Sequence, residues 1–421
     1  MNTHTAIKRK LPIIKLYKLI MASLLIGFFS AFLAIILKHL TEHYENVFFG
    51  EAQKHLSYFV AFPLFGLSVI YVLRLYLFRN KENKGIREIF ESTESRSKNL
   101  PLYKIPSHFI NGLLTVIFGG STGIEVSTVV ASATIGSVAQ QKENMFRQYK
   151  TELIAAGVAA GITALFNSPL AGILFAMEVI AKQRTRTFFL TTTIAVIIAF
   201  ALLFLSGEKP LFEMNITEWH IYAMPYFVIL GILAGMHSVY LTKCVLFFKM
   251  QFLRIKTHFY RIGLGVTILS ISLLLLPQLY GDGYHAIKVI LISTEEFSLP
   301  LLFTLIGILF LKPIVTSATL ASGGDGGIFA PSLFLGAFLG LFTSLILNTY
   351  LDAKVIPLNF MVIGMAAMLS ASIHAPFTAL FLVCGVINDY TLFIPILAIC
   401  LISKYTAKLI YPFTVYTFPK A

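Results

Sequence analysis

Apolar residues run in long stretches along this chain, roughly at 19–37, 59–78, 187–205, 221–241, 262–280, 299–316, 332–349, 355–373 and 391–402. Several reach the ~20 residues that carry an α-helix across a bilayer, and several fall short. The pattern predicts an all-α polytopic membrane protein. The first stretch is long and has no small-residue cleavage site, which predicts a retained helix and not a signal peptide. Low-complexity tracts and long linkers are absent, and both tails are short.

Composition agrees with the pattern. Of 421 residues, 57% are hydrophobic and 13% charged, and the mean hydropathy is +0.80. A soluble domain needs more polar surface than that. The net charge of +13 is mostly topology. Basic clusters fall at Lys8, Arg9, Lys10, Lys15 and Lys18, at Arg79, Lys81, Lys84 and Arg87, at Lys182, Arg184 and Arg186, and at Lys243, Lys249, Arg254, Lys256 and Arg261. Acidic residues fall between them: Glu42, Glu45 and Glu51; Glu208, Glu213 and Glu218; Asp282, Glu295 and Glu296. The positive-inside rule places the basic clusters and the N-terminus in the cytoplasm and the acidic loops outside. A nucleic-acid role would need a soluble basic domain, and the chain has none. Cys244, Cys384 and Cys400 lie in apolar runs without metal-ligand spacing and read as packing residues.

The chain repeats itself. GGSTGIEVS at 119–127 and GGDGGIFAP at 323–331 share Gly-Gly and, three residues after the second glycine, Gly-Ile, at an offset of 204 (327 − 123). AAGVAAGITALFNSPLAGILF at 155–175 matches VIGMAAMLSASIHAPFTALFL at 362–382 at an offset of 207 (376 − 169). Two matches at nearly one offset predict two related halves, about 16–206 and 221–416, in inverted topology. They lie between an N-terminal tail at 1–15 and a C-terminal tail at 417–421. Glycine- and proline-interrupted helices in duplicated halves are a transporter signature. Half-helix N-termini then meet near the membrane midplane, where their amides and dipoles favour an anion. Pro331 suits a first helical turn. Two glycine-rich packing seams between helices remain the structural alternative.

Glu125 is the one charged residue between Phe109 and Gln141. A carboxylate at membrane depth is expensive and marks a pathway or a proton relay. Aimed at helix N-termini it would mimic a bound anion, and once protonated it would leave. The bland alternative is a structural glutamate with a neighbouring partner, and no basic residue stands near it in sequence.

The motifs resemble those of the CLC chloride channels and transporters. GGDGGIFAPSLFLGAFLG (323–340) is similar to the family's GxFxP region, GIEVSTVV to its glutamate-bearing segment, and NKGIREI (83–89) to its GSGIPEI. NSPLAGILFAMEV (167–179) resembles its paired-glutamate helix, and 389–418 its C-terminal segment, all in family order. The resemblance implies a CLC-like fold. It implies that the amides of Ile328 and Phe329 and the hydroxyl of Tyr416 hold a central anion. The backbone of Gly123, Ile124, Glu125 and Val126 would hold an outer anion, with Glu125 as the gate that competes with it. It implies a homodimer in the lipid bilayer, free of cofactors, that moves chloride or a similar small anion with protons.

Departures from the family pattern are visible. Lys84 stands where the family has a serine, so either Lys84 attracts anions at the mouth or it snorkels away and leaves the Gly85 backbone beside the anion. Arg87 replaces a proline, and Asp325 a small or apolar residue. Val179 occupies the place of the internal proton-handling glutamate, just after Glu178. Proton-coupled antiport is the expected activity, in a bacterial plasma membrane, with a passive channel as the alternative and a fluoride exporter ranked lower. The rival from another class is an intramembrane aspartyl protease, because SGGD at 322–325 brushes a Gly-x-Gly-Asp signature; no Tyr-Asp partner supports it. His374 lies opposite Asn167 in the repeat and reads as the cap that opens a helix.

Overall fold

The computed structural model describes residues 13–418 apart from 79, 80, 82, 96, 182, 183, 213, 215 and 293–297. Lys8, Arg9, Lys10, Arg79, Lys182, Glu213, Glu295 and Glu296 therefore lie outside the described residues. The first half comprises α1 (Ile13–Lys54), α2 (Tyr58–Tyr76), α3 (Ile86–Glu94), α4 (Lys104–Ile117), α5 (Glu125–Lys142), α6 (Lys150–Phe166), α7 (Pro169–Phe175) and α8 (Arg186–Ser206). The second comprises α9 (Met224–Arg254), α10 (His258–Leu275), α11 (Tyr284–Ile292), α12 (Leu299–Ala321), α13 (Phe329–Leu351), α14 (Pro357–Ile373), α15 (Pro376–Ile387) and α16 (Phe393–Ile410). Among the described residues, nine helical segments are long and apolar enough to cross a bilayer. The protein is an all-α polytopic membrane protein built from two inverted halves.

The repeat is visible as matched contacts. Asn167 ends α6 in a left-handed conformation (φ 50°), and His374 ends α14 likewise (φ 57°). His374 is thus the terminal residue of one helix and not the opener of the next. Pro169 and Pro376 start α7 and α15, where a missing N–H costs nothing. In the first half a side chain on Gly136 would run into the carbonyl of Leu153, and one on Gly157 into the carbonyl of Ser132. In the second half the same pairings recur: Gly340 against the carbonyl of Phe360, and Gly364 against that of Gly336. Backbones of α5 and α6, and of α13 and α14, therefore touch directly, as small residues permit in membranes.

Among the helices that the hydropathy stretches did not outline, α5 and α6 are interior. α5 is rich in Ser, Thr, Ala and Gly and is almost wholly buried. It contacts protein in place of lipid, so it needs shape more than hydropathy. α1, α8 and α10 instead expose large apolar side chains, such as Phe32, Ile197 and Leu275.

Charge segregates along α1. Lys15 and Lys18 stand at its start, and Lys18 pairs with Glu143 at 3.1 Å. Glu42, Glu45 and Glu51 stand toward its end, where Lys38 pairs with Glu208 at 2.8 Å and Lys288 with Glu42 at 2.6 Å. Arg74, Lys81, His258 and Arg261 share a recess with Gly323.

The interlocked glycines make a stability prediction. Gly340→Ala places a methyl where the Phe360 carbonyl sits and should destabilise the protein by about 1–3 kcal/mol. The apparent melting temperature of the detergent-purified protein should fall by several degrees. Gly263→Ala, which meets open space inside α10, should not lower it, since alanine is the better helix former.

Candidate functional site

The site begins with two glycines. Gly123 N–H donates to the Gly327 carbonyl at 3.4 Å, and Gly327 N–H donates to the Gly123 carbonyl at 3.2 Å. This antiparallel bridge joins the two halves at the point where each chain turns into a helix. Matched threonines brace it. Thr115 Oγ1 accepts from Asp325 N–H at 2.9 Å, and Thr319 Oγ1 accepts from Ser121 N–H at 3.1 Å. The Thr122 hydroxyl adds a bond to the Gly327 carbonyl at 2.8 Å. Gly119 (φ 82°) and Gly323 (φ 108°) take the turns that an L side chain would strain. α5 and α13 then start two residues past their bridge glycines, at Glu125 and Phe329. Two unsatisfied helix N-termini thus face one small region, which suits negative charge.

Glu125 fills part of that region. Its carboxyl is buried; Oε1 accepts the Tyr284 hydroxyl at 2.6 Å, Oε2 makes no hydrogen bond of good geometry, and the backbone amides of Glu125 and Ala330 interact with the carboxylate. A side chain on Gly123 would strike Oε2 and lie 2.6 Å from Ala330 Cβ. The carboxyl therefore lies over the bridge, between the start of α5 and the first turn of α13. Ile124, Val126, Ile328 and Phe329 are all buried around it. Tyr416 brings a buried hydroxyl without a partner, 3.3 Å from where a Gly327 Cβ would stand. The Tyr416 ring lies 6.4 Å from the ring of Phe329, which in turn meets Phe175 at 5.5 Å. Gly85 reaches the same neighbourhood, with its Cβ direction 3.2 Å from Val126. A buried hydroxyl and two helix starts thus meet among apolar side chains, an arrangement of donors that favours negative charge.

Lys84 is not brought there. Its side chain is exposed, and its N–H donates to Glu88 Oε1 at 2.5 Å. Asp325 is close to the bridge but its carboxylate is engaged. Oδ1 accepts Gly326 N–H at 3.0 Å, Oδ2 accepts Asn83 Nδ2 at 2.5 Å, and His108 Nδ1 stands 3.1 Å away. Lys104 Nζ continues this buried network, donating to Asn83 Oδ1 at 3.1 Å and Glu88 Oε1 at 2.9 Å. Arg87 is half-buried on α3. Glu178 Oε2 accepts both the N–H and the hydroxyl of Thr378 at 2.7 Å and so ties the π-helical turn after α7 (Ala176–Ile180) to the start of α15. Val179 packs against the core.

Sequence reasoning missed Tyr284, Asn83, His108 and Lys312. Each lies in an unremarked polar position or a long apolar run, and only the folded chain brings it to the bridge or its supports. Among the described residues no group of His, Cys, Asp and Glu could hold a metal, and Cys244, Cys384 and Cys400 are unpaired.

Inverted halves, broken helices and a buried donor cluster at their junction define a membrane anion transport protein. Residues 65–408 match the family model described as "Voltage gated chloride channel", and the chain belongs to that family, the CLC proteins. The "Voltage-gated ClC-type chloride channel ClcB" of Salmonella typhi is 28% identical over 307 residues, covering 70% of this chain and 71% of that one. The protein of that name from Escherichia coli O6:H1 is 27% identical, covering 72% of each. In fold the chain is similar to a slow cyanobacterial Cl⁻/H⁺ antiporter (TM-score 0.81, 21% identity, 95% and 96% covered). It is also similar to a CLC-type fluoride/proton antiporter (TM-score 0.79, 22% identity, 97% and 98% covered). Family membership makes it a multi-pass anion transporter and not an enzyme, and the protease reading falls with it.

The Asp325 network carries a prediction. Asp325→Ala strands Asn83, the Gly326 N–H and His108 without their shared acceptor. The loss should be about 1–3 kcal/mol, seen as a lower melting temperature. An unchanged melt would show that the carboxylate does not hold the turn before α13.

Proposed function

We propose that the protein exchanges chloride, or a similar small anion, for protons, with Glu125 as the gate. One observation carries the reading: the Glu125 carboxyl lies between two helix starts, where an anion would be favoured, with one oxygen making no hydrogen bond of good geometry. A carboxylate in that position excludes an anion by charge and by volume. Protonation removes the charge and lets the side chain leave, so one group links proton and anion occupancy. The amides of Ile328 and Phe329 and the Tyr416 hydroxyl would hold the central anion. The backbone from Gly123 to Val126 would hold the outer one. Gly85 is the better candidate for the inner mouth, because the Lys84 side chain points elsewhere.

The acidic end of α1, with Glu42, Glu208 and Asp282, is taken as extracellular, and the Lys15–Lys18 end as cytoplasmic. The setting is a bacterial plasma membrane and the assembly a homodimer with one pathway per subunit. A passive chloride channel is the second reading. It is favoured by Val179, which cannot carry a proton, and by Glu178, whose carboxylate is already committed to Thr378.

Purified protein in liposomes separates the two. Under an imposed chloride gradient, wild type should move protons uphill, and Glu125→Ala should lose proton movement while chloride flux persists. Chloride flux without proton movement in both proteins would establish the channel. No chloride flux would overturn the chloride assignment and direct the same assay to fluoride and nitrate.

Tyr416→Phe removes only the unpartnered hydroxyl. Chloride affinity measured by calorimetry should weaken on the order of tenfold, as expected for a hydrogen bond to a charged group, with the melting temperature unchanged. Equal affinity would remove Tyr416 from the site.

A further inference from the structure

The turn that presents Tyr284 is braced from three sides. Lys312 of α12 is fully buried; its Nζ donates to the carbonyls of Leu279 and Gly281, each at 3.2 Å, and lies 4.5 Å above the Phe334 ring. Glu45 of α1 accepts Asp282 N–H at 3.1 Å, and a side chain on Gly281 (φ 56°) would collide with the Glu45 carboxyl. Asp282 Oδ1 accepts Tyr284 N–H at 2.8 Å and so caps the first turn of α11. Upstream, the Tyr280 hydroxyl donates to the Ile117 carbonyl at 2.7 Å. The Tyr284 ring rests edge-on against Phe212 at 5.7 Å.

A buried lysine and two buried carboxylates are costly in a membrane protein unless they satisfy one another. Here all three are spent on one six-residue turn, 279–284, whose last side chain reaches Glu125. Among the described residues no cation makes an ion pair with Glu125, and the phenol is the one side-chain donor bonded to it. The turn is too firmly held for the phenol to follow Glu125 outward, so opening must break the bond.

We propose that Tyr284 is a latch. Its hydroxyl holds the ionised Glu125 between the helix starts, and the Glu45–Asp282–Lys312 brace keeps that hydroxyl in place. The proposal rests on the reading of Glu125 as the gate. Tyr284 is a positioning residue: it acts on the anion pathway only through Glu125 and transfers no proton.

A phenol that donates to a carboxylate favours the ionised form. Tyr284→Phe should therefore let Glu125 protonate and leave at higher pH. The other groups facing Glu125 stay in place: Tyr416 from the C-terminal segment, Asp282 from the turn, Glu42 and Glu45 with Lys38 from α1, and His285 with Lys288 from α11. They set the baseline from which the shift is read.

The test is anion efflux from liposomes across a pH series. Tyr284→Phe should raise flux at neutral pH several-fold and move the midpoint of the pH profile up by about one unit. Site-specific replacement Tyr284→3-fluorotyrosine keeps the ring and makes the phenol a stronger donor, so it should move the midpoint down. In the Glu125→Ala background, Tyr284→Phe should change nothing. A wild-type profile in both Tyr284 variants would overturn the latch while leaving the gate intact. So would an equal gain of flux with and without Glu125, which would mean that the ring merely fills space. A Glu125→Ala protein that keeps the wild-type pH profile would overturn the gate itself, and the latch with it. Should Tyr284→Phe fold poorly, the fluorotyrosine variant alone decides, because it removes no contact.

Discussion

Two backbone hydrogen bonds between Gly123 and Gly327 are the constraint on which the site depends. They fix the distance between the halves at the point where α5 and α13 begin. Neither glycine tolerates a side chain: one on Gly123 would strike Glu125, and one on Gly327 would strike Val126. Paired threonines and glycines repeat the same turn on each side, so the two helix starts are aimed by backbone geometry and not by flexible side chains. Donors held in this way need no reorganisation to receive charge.

Charge inside the molecule is handled in two ways. Around Lys312 and around Asp325, each buried ion has partners: backbone carbonyls and amides in the first case, Asn83, His108 and the Gly326 amide in the second. Such groups brace turns. Glu125 differs, since its one well-formed hydrogen bond is to a phenol and only the helix-start amides of Glu125 and Ala330 interact with it besides. Burial without satisfaction is unfavourable, and a group so placed is poised to change state. The contrast separates the carboxylate suited to movement from those suited to support.

Much of this was legible in the sequence. The offset repeat identified the two helix starts, and the isolation of Glu125 in a long uncharged segment identified the group between them. Long lipid-facing helices announced themselves by hydropathy. Of the interior helices, α13 and α14 were outlined as well, but α5 was not, because it packs by small residues whose hydropathy is modest. The polar supports were not legible either. Tyr284 is 159 residues from Glu125 and Asn83 is 242 from Asp325, and no local pattern joins them. The place of the Lys84 side chain was not legible for a related reason: aligned motifs place a residue along the chain, whereas its side chain can turn to solvent.

The symmetry of the backbone makes the asymmetry of the side chains informative. At the repeat offset Glu125 corresponds to Phe329 (329 − 125 = 204), and Asp325 to Ser121 (325 − 121 = 204). Glu178 corresponds to Gly385 at the second offset (385 − 178 = 207). Each carboxylate thus has an uncharged counterpart in the other half. A perfectly symmetric pair of helix starts would treat an anion alike from either side. Placing a carboxylate on α5 and a buried aromatic on α13 leaves the two approaches chemically different while the helix-start amides stay matched. Direction in such a protein is therefore a property of a few side chains laid on a symmetric frame. The carboxylate on α5 is the one whose ionisation can change that asymmetry without moving the frame.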